Sequence, residues 1–176
     1  ERAPLLLRAN PNPTLGPPRL AHLSITEYLT CGYISRLKFD SYFKFCFVRN
    51  PWDRAVSMHK YLSNETETFE NFLTNGPGGT SSNLTYFFRP QTHYAIDPNK
   101  RAKVDFIGKF EALKEDLDLI ITRLGLNSRL KHINQSRTIS NKTNTKANYR
   151  DFYCQKTRKI IEKIYASDIK TFNYEF

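Results

Sequence analysis

Three side chains in this 176-residue chain combine a reactive type with a suggestive position: Arg49, Ser57 and His22. Arg49 stands in the run Val48-Arg49-Asn50-Pro51-Trp52-Asp53-Arg54-Ala55-Val56-Ser57. A guanidinium offers a planar fork of donors that suits phosphate better than a lysine ammonium does. Asn50 is a good N-cap, Pro51 suits the first helical position, and Asp53 falls where a capping-box acid would reach back. Arg49 is therefore expected at the mouth of a helix, where unpaired backbone N–H groups and the dipole attract anions. Ser57, two turns in, could add a hydroxyl. The competing reading pairs Arg49 with Asp53 or a neighbouring acid, a kind of contact that is common and weak at surfaces. His22 precedes a second helix start. There the dipole disfavours the protonated ring, and a neutral histidine can act as a general base. A histidine that merely closes a loop is the alternative.

The elements that must position these residues follow from local pattern. Phe43, Phe45 and Phe47 alternate with Lys44, Cys46 and Val48, which predicts a buried strand with an aromatic face. The helix after it should run to about Leu62, with Trp52, Ala55, Val56 and His59 at helical spacing. Ser24 and Glu27 form a capping box, Leu23 and Tyr28 are placed as a hydrophobic staple, and Gly32 is the stop. A short helix or turn is expected over Ile34 to Tyr42, and a short helix over Glu67 to Leu73. Residues 76–83, Gly-Pro-Gly-Gly-Thr-Ser-Ser-Asn, predict a flexible loop. This loop lacks the lysine, preceding strand and following helix of a phosphate cradle. Arg89, Gln91 and His93 read as a surface turn with a snorkelling arginine. Lys103 to Phe110 predicts a second strand. Glu111 to Leu124 predicts a helix with Leu113, Leu117, Ile120, Ile121 and Leu124 on one face, ended by Gly125; both read as core rather than chemistry. Lys131 to Lys146 is polar and basic, and the pattern turns helical again from Ala147. Residues 1–18, with five of the nine prolines, read as an irregular arm, and 19–176 as one domain.

Lys and Arg outnumber Asp and Glu 27 to 17, and the resulting +10 suits an anionic partner: a nucleotide, a sulfated polysaccharide, nucleic acid or a membrane surface. No apolar run approaches the ~20 residues of a membrane span, and Leu5-Leu6-Leu7 is too short for a signal-peptide core. Cys31, Cys46 and Cys154 are odd in number and lack metal-like spacing, which argues against a disulfide framework, and no His/Cys/Asp cluster suggests a metal. Cys46 is expected to be a buried strand residue. Sequons begin at Asn64, Asn83, Asn134 and Asn141.

Three blocks, in order, resemble the sulfotransferases, and most closely the carbohydrate (Golgi-type and bacterial) branch. They are His22-Leu-Ser-Ile-Thr-Glu-Tyr-Leu29, the aromatic strand with Val48 to Ser57, and Tyr149-Arg-Asp-Phe-Tyr153 with the aromatic ending; Val104 to Glu111 adds to them. The resemblance implies an α/β, P-loop-kinase-like fold with a mostly parallel sheet flanked by helices. It implies 3′-phosphoadenosine 5′-phosphosulfate (PAPS) as sulfate donor, a carbohydrate hydroxyl as acceptor and no metal. Arg49 and Ser57 would hold the 3′-phosphate, and His22 would be the catalytic base. A loop near Lys131 to Lys146 would help cover the nucleotide, against a solvated linker, and Arg89, Gln91 and His93 would be secondary candidates for contact with the acceptor. The family's N-terminal strand-loop-helix, whose lysine neutralises the departing 5′-phosphate, has no counterpart in residues 1–18. Localisation would be the Golgi lumen for a eukaryotic protein anchored by a further N-terminus, and cytoplasmic otherwise; a membrane would be met only through such an anchor. The alternative is a non-catalytic sulfotransferase-like module that binds a nucleotide or anionic glycan. A nucleic-acid partner is not expected, because charge alone suggests it and no recognition motif accompanies it.

Overall fold

A computed structural model describes residues 22–63, 66–79, 85–97, 99, 104–127 and 148–176. It is a mixed, helix-rich α/β structure with a small two-stranded parallel sheet. The elements run α1 (Ile25–Thr30), α2 (Arg36–Ser41), β1 (Phe45–Val48), α3 (Pro51–Leu62), α4 (Phe69–Gly79), α5 (Thr85–Phe88), α6 (Gln91–Ala95), β2 (Phe106–Lys109), α7 (Leu113–Arg123), α8 (Gln155–Ile164) and α9 (Ala166–Phe172). Among the described residues no helix is long and apolar enough to cross a membrane. The predicted arm, the basic stretch 131–146 and all four sequon asparagines lie outside the described residues.

The chain divides into two compact units, and it passes between them inside both strands. The first comprises Glu1–Cys46 and Thr80–Ile107, the second Phe47–Gly79 and Gly108–Phe176. In the first, α1 begins with the predicted reciprocal cap: Ser24 N–H donates to Glu27 Oε2 at 2.6 Å, and Glu27 N–H to Ser24 Oγ at 3.3 Å. Gly32, at φ +72°, makes the left-handed turn out of α1 that a side chain would oppose. Ile25 and Phe39 form a small core with Leu29, Ile34 and Val104 against them, and α1 packs on α6. Lys44 marks the register of the two strands. Its carbonyl accepts from Asp105 N–H at 2.7 Å, and its Nζ pairs with the Asp105 carboxylate at 3.0 Å.

In the second unit α3 packs against α4, α8 and a 3₁₀ turn over Tyr149–Phe152, while α8 also meets α4 and α9. Trp52, Ala55, Val56, Phe72, Ile161 and Tyr165 are the buried centre of these faces. Each large apolar side chain so covered contributes roughly 1.5–3 kcal/mol.

Four expectations are corrected. The strand β1 is not buried on its aromatic face: Phe45 is 43% exposed, whereas Val48 is buried and Cys46 half-buried. Alternation fixes which side chains share a face, not which face is covered. Helix α4 continues through Gly79, across the first half of the predicted 76–83 loop; a helix anchored by buried Phe69, Phe72 and Leu73 propagates cooperatively past its start, here into Gly76, Pro77, Gly78 and Gly79, the weakest helix-forming types. Residues 80–83 lie outside the described set. Before α7 the chain makes a 3₁₀ turn, Phe110–Ala112, so the helix starts at Leu113 and not at Glu111. Of the expected α7 face only Ile120 is fully buried, and Leu124 is 40% exposed.

Candidate active site

β1 and β2 are parallel, so both deliver their carboxyl ends to the same edge, the place where open α/β sheets bind ligands. Arg49 and Asn50 leave β1 there; Phe110 and Glu111 leave β2. Asn50 caps α3 as the sequence predicts, its Oδ1 accepting from the N–H groups of Trp52 at 3.0 Å and Asp53 at 3.3 Å. Asp53 does not complete the capping box. Its carboxylate instead accepts from Arg49 Nε at 2.8 Å. The N–H of Asn50 donates to Glu111 Oε1 at 2.6 Å, a partner 61 residues away. Glu27 in the equivalent place on α1 spans the distance; aspartate is one methylene shorter and turns back to the arginine.

Arg49 is a quarter exposed and lies over the Phe110 ring, with its guanidinium carbon 4.6 Å from the centroid. Ring and carboxylate together fix the plane of the guanidinium. The Asp53 bond engages Nε–H, one of the five N–H groups that this side chain carries. Ser57 sits one turn beyond Asp53 on α3 and is half-buried. Arg49 and Ser57 thus belong to one turn-and-helix segment of the second unit.

The chain matches the model of the Sulfotransferase family over residues 23–175. It belongs to the sulfotransferase family. It is also 31% identical over 101 residues to an uncharacterized protein of Archaeoglobus fulgidus, a match covering 55% of this chain and 79% of that protein. No solved structure matches it. Family membership supports sulfuryl transfer in general, and with it a sulfate donor and an acceptor.

His22 lies in the first unit of this sulfotransferase, just before Ser24, the N-cap of α1, and is half-buried. Its ring meets Phe87 and Tyr86 edge to face, with centroids 5.3 and 5.7 Å away, which fixes the imidazole plane. Tyr86 also carries Arg89, whose guanidinium carbon is 4.5 Å from the ring centroid. Arg89 donates through Nη1 to His93 Nε2 at 3.0 Å and lies 3.8 Å from Glu27. An arginine cannot accept, so this contact requires a neutral His93 with its proton on Nδ1. Burial and the Arg89 charge lower the His93 pKa, with Glu27 opposing them. His22, Arg89 and His93 are therefore linked around Tyr86. Gln91 is the first residue of α6.

Sequence reasoning passed over Phe110 and Glu111, having assigned their block to the core. Gly108 and Ile120 do belong there. The signal was an aromatic-acid pair directly after a strand whose end had to lie beside Arg49. No group of side chains among the described residues could hold a metal ion.

Proposed function

We propose that this protein transfers a sulfuryl group from PAPS to a hydroxyl of a carbohydrate, with a P-loop-kinase-like sheet as its framework. The observation that carries this reading is Arg49. It leaves a parallel strand at the carboxyl edge of the sheet, stands before the N-terminus of a 12-residue helix, and is braced by Asp53 and Phe110. Arg49 and Ser57 hold the 3′-phosphate of the donor, which exchanges with the Asp53 carboxylate on the guanidinium. His22, its ring plane set by Tyr86 and Phe87, takes the proton of the acceptor hydroxyl. The hydroxyl oxygen forms a bond to sulfur as the bond from sulfur to the 5′-phosphate oxygen breaks, releasing 3′-phosphoadenosine 5′-phosphate (PAP). Catalysis of such a loose transfer is mainly positioning and charge stabilisation, for which fixed donors are suited.

Incubation with 35S-labelled PAPS and a panel of glycans tests the reading. Label is expected in an acceptor with the wild-type protein. The His22→Ala variant should lose transfer and keep PAP binding within about twofold, since the ring contacts no donor group in this scheme. PAP binding without transfer to any glycan would favour the non-catalytic module. Transfer by His22→Ala at the wild-type rate would remove His22 as the base.

A further inference from the structure

Glu111 is joined to the candidate phosphate-binding turn from a distant part of the chain. Its Oε1 accepts from the N–H of Asn50 at 2.6 Å, and its Oε2 accepts from the Tyr174 hydroxyl at 3.0 Å. Both carboxylate oxygens are therefore fixed, and the first bond is short and charge-assisted. Asn50 is held again through Nδ2, which donates to the Glu175 carbonyl at 3.0 Å. Phe110, the residue before Glu111, is the ring beneath Arg49. One 3₁₀ turn, Phe110–Ala112, thus makes two contacts with consecutive residues: a ring under Arg49 and a carboxylate on the amide of Asn50. A carboxylate this close to a phosphate site would be costly if it only added negative charge. On a backbone N–H it instead sets where the preceding residue points.

We propose that Glu111 is a positioning residue of this sulfotransferase, acting through the Asn50 amide to hold Arg49 in its phosphate-binding direction. The proposal rests on the reading that Arg49 grips the 3′-phosphate of the donor. Glu111 touches no substrate; it sets the turn from which the guanidinium projects.

PAP titrations on four variants test it. Glu111→Ala is expected to weaken PAP binding about tenfold, a step of about 1.4 kcal/mol. Glu111→Gln, whose amide oxygen can still accept from Asn50, should stay within about threefold of wild type. Glu111→Asp keeps the charge but shortens the reach, and should resemble the alanine variant; it serves equally if the alanine protein does not fold. In an Arg49→Ala background, Glu111→Ala should change the PAP affinity by less than about twofold, because the group it positions is gone. Full additivity of the two substitutions, or wild-type binding by both the alanine and aspartate variants, would overturn the proposal while Arg49 kept its role. Undiminished binding by Arg49→Ala alone would overturn the phosphate-site reading and this inference together.

Discussion

Arg49 donates through Nε to Asp53 Oδ2 at 2.8 Å, so the guanidinium offered to a phosphate is already held by one of the protein's own carboxylates. Binding an anion there is an exchange. The pair is partly exposed, 25% on the arginine and 31% on the aspartate, which puts its strength near the ~0.2–1 kcal/mol of surface pairs. A doubly charged phosphate with oriented oxygens can displace so weak a partner.

Asp53→Asn should therefore keep an acceptor for Nε while removing the competing charge. PAP binding is expected to tighten by up to about fivefold, the factor that corresponds to ~1 kcal/mol. Stability should fall by about 0.3–1 kcal/mol, because an acid in the first turn favours the helix dipole. Calorimetric titration and chemical denaturation read the two effects separately. Binding weakened more than about tenfold would mean that the carboxylate is required for the anion and does not compete with it.

Gly108 admits no side chain. A Cβ built there would stand 2.5 Å from Cε1 of the Phe47 ring and 3.2 Å from the Asp116 Cβ. Phe47 belongs to β1, which ends just before Arg49, and its half-buried ring would have to turn aside to make room. Gly108→Ala is expected to cost about 1–3 kcal/mol, the usual penalty of overpacking. An unchanged urea midpoint would show that the strand yields more easily than this contact implies.

The cysteines should react in a fixed order. Burial pushes the Cys46 thiol up to about 11, so almost none of it is thiolate at pH 8. Cys154 is exposed, and hydrogen bonds from the Thr157 backbone and hydroxyl lower its pKa. Pulsed alkylation at pH 8 followed by mass spectrometry should find Cys154 modified well before Cys46. Equal rates in the folded protein would contradict the burial of the Cys46 face. The same shift has a stability consequence. The contribution of Cys46 is complete below its ordinary value of 9.0 and is lost as pH rises toward 11.

His93 should act in the opposite pH range. Its folded pKa is lowered, first by burial and then by Arg89, so folding favours the neutral ring. The contribution is present above the ordinary value of 6.5 and disappears as pH falls through the lower folded value. Thermal unfolding between pH 7.5 and 5 should show the wild type losing stability faster than His93→Asn, which can accept from Arg89 without titrating. Superimposable pH profiles for the two proteins would refute the lowered His93 pKa.

Legibility in the sequence followed the range of the interactions. The cap of α1 was readable because Ser24 and Glu27 are three residues apart, and α3 matched its expected span because Asn50 and Pro51 mark its start locally. Glu111 was not readable as the partner of Asn50, since only the fold brings residues 61 apart together. Asp53 fitted two patterns, capping box and ion pair with Arg49, and the length of its side chain decided for the second. The covered face of β1 depended on what packs against it, which alternation does not contain. The family was legible because its motif words are local runs, and the match over residues 23–175 bears it out.

The central claim is tested most directly by comparing two nucleotides that differ only at the 3′ position. PAP and adenosine 5′-phosphate are titrated into the wild type and into Arg49→Ala. A charge-assisted contact of ~1.5–3 kcal/mol predicts that the wild type prefers PAP by roughly ten- to a hundredfold and that the variant loses this preference. A variant that still prefers PAP by the wild-type factor would contradict the account, because the 3′-phosphate would then be held without Arg49.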